Sequence, residues 1–365
     1  MIEHEKTAVE ALFKRSLGPI DIVIFSASLE DAIKLASSDK GNCLVAVIGD
    51  EIVGSVSVKI KEISGSLTGF IDALVMDKEY RGYGVASSMV DEAIKWLSHR
   101  KCETIYATAD RYNSGSWNTF IHRGFSVYEL PNQLRDYGLG FLRLWLAEFH
   151  FVGYGTFFLR KKDENNNCLE ANESWHFLFA WVGLFTIWAI QALRMGHSII
   201  ALPVVLVVTG VSLFAPELLQ KQIGRRFGLE TVFKAWEPGI IFSLLLAVIG
   251  SFFPAYGSTY VKKLDYRYDL SKKENGIFFT AGPSMSLLLA WCFWALSTVI
   301  SDGAILAGVR VGYMTNLVNS LFNLIPVQAA GGFVWDGRKI VTWSKSVWLL
   351  LLVASLVLII ADILV

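Results

Sequence analysis

Two uninterrupted apolar runs, WHFLFAWVGLFTIWAIQA at 175–192 and SIIALPVVLVVTGVSLFA at 198–215, constrain this chain more than anything else in it. Each is about 18 residues long, the length at which a helix crosses the hydrocarbon core of a bilayer. In lipid the backbone must satisfy its own hydrogen bonds, so such runs fold as helices. Before Ser174 the pattern changes, and charged residues are scattered among alternating apolar ones. The 365 residues therefore read as an α/β domain followed by a polytopic α-helical membrane domain.

Charge and cysteine usage narrow the class further. Lys plus Arg and Asp plus Glu are both 33, so no excess of positive charge draws nucleic acid. The basic clusters lie at 161–162, 221–226, 262–273 and 338–345, beside apolar segments, where positive charge marks the cytosolic side. Cys43, Cys102, Cys168 and Cys292 form no CxxC pair and no disulfide framework, which fits free thiols in a reducing compartment. The N-terminus lacks the layout of a cleaved signal peptide. The first domain is expected in the cytoplasm and the second as a multi-pass part of the cell membrane.

NCLVAVIG, IVGSVSVKI and FIDALVM, separated by turn residues, predict an antiparallel meander. In DKEYRGYGVASSMVDEAIKWLSHR, Val85, Met89, Ala93 and Trp96 recur at helical spacing, and Gly82 and Gly84 stand at the strand-to-helix turn. A glycine turn that opens a helix exposes backbone N–H groups to an anion, with the helix dipole adding to the attraction; the plainer reading is a tight connection needing positive φ. ETIYATAD reads as the next strand, followed by the segment from Asn113 to Phe125.

The stretch Arg81-Gly82-Tyr83-Gly84-Val85-Ala86 after Leu74-Val75-Met76, with Asn113, a short helix and Gly124-Phe125, resembles the GNAT acetyltransferase superfamily over roughly the first 160 residues. The resemblance implies a GNAT fold and acetyl-CoA as co-substrate. It implies pyrophosphate on the amides of Arg81, Gly82, Tyr83, Gly84, Val85 and Ala86, pantetheine along Val75 and Met76, and contact of that arm with Asn113. It also implies an amine acceptor attacking the thioester directly, for which Asp72 is the candidate base, though an Asp at a strand start is also a common surface residue. Where the family often has a tyrosine to protonate the leaving thiolate, this chain has Phe120, which has no proton to give; Tyr112 is the candidate substitute.

Before the last strand, VGYGTFFLRKK, an aromatic insertion occupies about 131–150. Phe141, Leu142, Leu144, Trp145 and Phe149 fit an interfacial helix, a lid or an extra core helix. The domains are expected at 1–162 and 175–365, joined by a polar linker at 163–174.

In the second half, APELLQKQIGRRFGLETVFKAWEPG, the helix opened by Ala281-Gly282-Pro283 and the pair Phe322-Asn323-Leu324-Ile325-Pro326 with Asp336-Gly337 resemble the site-2 (M50-type) intramembrane metalloproteases. That family's HExxH is broken here, because Pro216 and Gln220 stand at both histidine positions beside Glu217. With Asp336 the remaining counterpart of a ligand, no zinc is expected. Gly250, Pro254 and Gly257 interrupt the segment 239–260, which is expected to dip in and return, leaving five spans and all four basic clusters on one side.

Three functions follow. One is a membrane-tethered N-acetyltransferase with a proteolytically inactive membrane half that binds a membrane-protein client. The others are an intramembrane metalloprotease governed by an acyl-CoA-sensing domain, and a non-catalytic acyl-CoA sensor on a membrane scaffold.

Overall fold

The computed structural model describes residues 3–111, 113–148, 150, 155–162, 172–261, 272–327 and 335–364. The chain divides into an N-terminal and a C-terminal compact unit, the second beginning at Asn172.

The N-terminal unit opens with two helices, α1 (Glu3–Ser16) and α2 (Pro19–Ala36), which lie ahead of the expected meander. The meander follows as β1 (Gly41–Ile48), β2 (Glu51–Ile63) and β3 (Ser66–Met76). Then come α3 (Val85–His99), β4 (Thr104–Asp110), α4 (Ser114–Ile121), β5 (Ser126–Val127), α5 (Leu130–Tyr137), α6 (Phe141–Ala147) and β6 (Thr156–Lys162). The sheet has the order β1-β2-β3-β4-β6-β5, with β3 and β4 parallel and the other pairs antiparallel. This is the mixed sheet with helices expected of a GNAT fold.

Helix α3 buries Met89, Val90, Ala93 and Leu97, so its apolar stripe runs through Leu97 rather than Trp96. Trp96 lies at the edge instead, with the Arg100 guanidinium 3.8 Å above its ring. The insertion forms α5 and α6. Phe141, Leu144 and Trp145 are almost fully buried, and Leu144 and Ala147 pack with Ile63, Phe70, Tyr106, Tyr128 and Phe158. Most of its aromatic character therefore serves the domain core, while Leu142 and Leu146 on α6 face outward. Phe149 lies outside the described residues.

The C-terminal unit contains α7 (Glu173–Arg194), α8 (Leu202–Arg226), β7 (Thr231–Ala235), α9 (Glu237–Val248), β8 (Gly257–Val261), α10 (Lys272–Val299), α11 (Gly303–Asn323), α12 (Asp336–Trp343) and α13 (Lys345–Leu364). Among the described residues, four helices are long and apolar enough to cross a membrane, at Glu173–Arg194, Ile199–Arg226, Lys273–Val299 and Lys345–Leu364. α11 is not among them; its 21 residues include Arg310, Asn316, Asn319 and Asn323.

Strands β7 and β8 pair antiparallel from Thr231↔Val261 to Ala235↔Gly257. The chain leaves this hairpin at Trp236, forms α9 and is back at Tyr256, whose carbonyl accepts from the Trp236 N–H at 3.1 Å. The 12 residues of α9 are about 18 Å long, short of the roughly 30 Å hydrocarbon core. Both ends of the excursion are therefore tied to one point.

Candidate functional site

The sequence turn at 81–86 folds as backbone geometry dictates. Gly82 and Gly84 have φ of +87° and +80°, a region that costs an L-residue with a side chain energy, and a Cβ added at either would meet nothing within 4 Å. Gly84 is the N-cap of α3 and supplies no side-chain cap. The first-turn amides at Val85 and Ala86 thus lie at an open, positively polarised helix end. Arg81 and Tyr83 are exposed on the same turn.

Behind the turn the sheet opens. The parallel ladder of β3 with β4 runs from Thr68↔Thr104 to Ile71↔Ala107 and stops, although β3 continues to Met76 and β4 to Asp110. Asp72, Val75 and Met76 therefore remain paired with β2 on one edge, while none of residues 72–76 pairs with β4 on the other, so the two strands part there and leave a cleft between them. The register of β2 with β3 shifts between Ser55 and Ser57, opposite Ala73, which holds φ of +48°. Such a bulge re-aims a strand next to a site, and the left-handed alanine stores strain there. Val75 and Met76 are buried along this stretch.

Asp72 stands at the apex of the cleft, one residue past the last paired position. Its carboxylate meets the ammonium of Lys59, and the Ser28 hydroxyl donates to it at 3.2 Å. Asp31 of α2 lies 3.6 Å from the same ammonium, and Glu148, at the end of α6, completes the group. Burial opposes the charge on Asp72, but the Lys59 ammonium together with hydrogen bonding from Glu148, Lys59 and Ser28 outweighs it and holds the carboxyl below its ordinary range. Burial likewise opposes the Lys59 charge, and Asp72 with Glu148 outweighs it, so that pKa is raised. For Glu148 the balance is reversed: burial first, then Asp72, pushes it well above the carboxylate range against the weaker pull of Lys59 and Lys61.

The sequence singled out Asp72 as a candidate but not Ser28, Lys59 and Glu148, which the fold brings to it. Ser55, Ser57 and Lys59 alternate with Val56, Val58 and Ile60, a pattern that reads as a solvated face, yet all three polar residues are at most 1% exposed. A lysine inside an apolar alternation was the available signal.

Asn113 caps α4, its side chain accepting from the Ser116 N–H at 3.0 Å. Phe120 is buried edge-on against Phe125, ring centroids 5.2 Å apart. Tyr112 lies outside the described residues.

In the C-terminal unit, Pro216 and Gln220 are buried on α8, and Glu217 accepts from the Thr259 hydroxyl at 2.5 Å. Asp336 at the start of α12 is 3.2 Å from the Lys339 ammonium. Asn316 bonds Ser212 at 2.7 Å, Asn319 bonds Ser286 at 2.9 Å and Asn323 bonds Asn319 at 3.1 Å, forming a polar layer among apolar helices. These residues do not fit a zinc centre. Proline offers no donor atom, and the two acids are engaged by a hydroxyl and an ammonium. Among the described residues no group of three His, Cys, Asp or Glu side chains converges as a metal site.

The profile of the acetyltransferase (GNAT) family matches residues 10–125. The chain is 30% identical over 153 residues to the "Putative zinc metalloprotease MJ0611" of Methanocaldococcus jannaschii, covering 41% of this chain and 75% of that protein. It is 32% identical over 83 residues to the N-alpha-acetyltransferase MAK3 of Arabidopsis thaliana, covering 23% of this chain and 44% of the relative's length. Among solved structures, the PaiA N-acetyltransferase of Thermoplasma acidophilum in complex with coenzyme A is similar at 14% identity and a TM-score of 0.33, over 44% of this chain and 93% of that one.

Proposed function

Because the chain belongs to the same family as the Methanocaldococcus jannaschii protein and carries a GNAT acetyltransferase domain at residues 10–125, we propose that it is a membrane-tethered N-acetyltransferase with a proteolytically inactive membrane half. Acetyl-CoA is the co-substrate. The observation that carries this reading is the conjunction of the open α3 N-terminus at Gly84 with the split between β3 and β4 beyond Ile71↔Ala107.

In this reading the pyrophosphate rests on the amides of 81–86, and the pantetheine arm lies in the split beside Val75 and Met76. There it takes the place of a strand neighbour, and the thioester arrives at the apex beside Asp72. The amine attacks the thioester carbonyl, the C–N bond forms, and the C–S bond breaks with its electron pair leaving on sulfur. Asp72 belongs to the group that receives the amine's proton. Phe120 leaves the departing thiolate without the usual donor, and Tyr112 is the residue we assign to test for that role.

The likeness to an N-alpha-acetyltransferase supports a peptide α-amine as the acceptor class. Lys221, Arg225 and Arg226 at the end of α8 support a cytosolic location for that end and for the acetyltransferase domain. We assign the metalloprotease likeness to the membrane half, whose polar layer at Asn316, Asn319 and Asn323 is suited to holding a membrane-protein client rather than cutting it. The test is calorimetry of the full chain with acetyl-CoA, followed by CoA release with unblocked peptides. Saturable binding and peptide-dependent release are expected; binding without release favours a sensor, an outcome consistent with the buried phenylalanine at 120.

A further inference from the structure

Glu148 caps the C-terminal end of α6, is 8% exposed, and neither of its side-chain oxygens has a hydrogen-bond donor. Three features oppose a negative charge there: burial, the adjoining Asp72 carboxylate and the carbonyl end of α6. One buried cation, Lys59, serves both carboxyls, and it is already bridged to Asp72. A second buried anion would be uncompensated, so one of the two acids is neutral. Of the two, Asp72 has Lys59 and Ser28 as donors and Glu148 has none, which makes Asp72 the member suited to carry the charge and Glu148 the one suited to hold the proton. An acid in that state has an O–H to donate, and the Asp72 carboxylate is the neighbouring group with a free lone pair to receive it.

We propose that Glu148 and Asp72 form a proton-sharing carboxyl pair at the apex of the cleft, through which the acceptor's ammonium is deprotonated. The remaining polar groups facing the pair are Ser28 and Asp31 from α2 and Lys59 and Lys61 from β2. Lys61 donates to the Ala147 carbonyl at 3.0 Å. His150 beyond them is held neutral by burial and by Arg111, its pKa pushed down to about 3, and adds no charge.

In its doubly ionised form the pair takes one proton from the ammonium. The neutral amine then attacks, the C–N bond forms and the C–S bond breaks. The second proton shed by nitrogen goes to the sulfur, and the pair returns its own proton to solvent. Glu148 acts through Asp72, so it is a positioning residue that sets where the pair titrates. This role rests on the acetyltransferase reading.

The experiment has two arms on the full chain in detergent. In the first, the infrared difference between wild type and Glu148→Gln at neutral pH is expected to contain the C=O stretch of a protonated carboxylic acid. Asp72→Asn, which changes the hydrogen-bond acceptor, is expected to shift that band. No band in the difference, or a band indifferent to Asp72→Asn, overturns the pair.

In the second arm, CoA release is followed with acetyl-CoA and a pool of unblocked peptides of varied first residue. Wild-type kcat is expected to rise with pH as the pair loses its proton. Glu148→Gln is expected to lower kcat roughly 100-fold and to flatten that rise, and Glu148→Asp to recover the slope. Parallel pH profiles for wild type and Glu148→Gln overturn the role. If the wild type releases no peptide-dependent CoA at any pH, the acetyltransferase reading fails, and the infrared arm alone decides whether the pair exists.

Discussion

The turn at residues 81–86 and the α8 segment at residues 216–220 differ in which atoms do the binding. The turn presents backbone amides, which every residue except proline supplies, so it needs only two glycines to hold φ of +87° and +80°. A zinc site on the helical segment would need two imidazoles one helical turn apart, and Pro216 and Gln220 stand in those places. Backbone-built sites fail at their glycines; side-chain-built sites fail at their ligands.

The sharpest way to break this contrast is Gly84→Glu. Adding a side chain at φ of +80° and an acid at the anion-binding end of α3 is expected to cut acetyl-CoA affinity on the order of 100-fold, about 2.8 kcal/mol. Unchanged calorimetric affinity would remove the turn from the account.

The buried pair behind the cleft is tested by its cost to folding rather than to binding. Lys59→Met leaves Asp72 and Glu148 without their cation, and breaking a buried pair costs about 3–5 kcal/mol, read as a large fall in the melting temperature of the acetyltransferase domain. The two carboxyls also give opposite pH slopes. Asp72, depressed in the folded state, contributes stability above its unfolded pKa that is lost as pH falls through the folded value. Glu148, raised in the folded state, contributes stability at acid pH that is lost as pH rises from the ordinary carboxylate range through its folded value. Glu148→Gln is therefore expected to flatten the loss on the alkaline side only, measurable as melting temperature against pH.

Phe120→Tyr tests whether the missing thiolate donor can be restored. The ring is packed against Phe125, so the new hydroxyl has no open space and is expected to cost about 1–2 kcal/mol without raising turnover. A rise in kcat would show that the position still addresses the thioester. The smallest effect is expected in the other unit. Glu217→Gln and Asp336→Asn should leave acetyl-CoA affinity unchanged in calorimetry, and elemental analysis of the wild type should find no stoichiometric zinc. Zinc lost on either substitution would return the membrane half to the metalloproteases.

Much of this was legible in the sequence where the signal is local. The turn, the helix after it, the meander, the last strand and the long apolar helices all follow from periodicity and glycine placement over short windows. Gly250 and Pro254 lie between α9 and β8, and Gly257 opens β8. What could not be read is what the topology assembles. Lys59 and Asp72 sit on neighbouring strands as diagonal partners, since Asp72 is registered with Ser57. Glu148 reaches them from an insertion whose aromatic residues drew the eye to membranes and lids. The bulge at Ala73 has no sequence mark, because alanine is an unusual occupant of a left-handed position.

The central claim is that chemistry belongs to the first unit and not to the second. Peptide-dependent CoA release by the purified full chain, in wild type and Gly84→Glu side by side, tests it most directly. The account predicts release in the wild type that is abolished by Gly84→Glu and insensitive to metal chelators. Absence of release in the wild type, together with peptide-bond cleavage that a chelator stops, would contradict it.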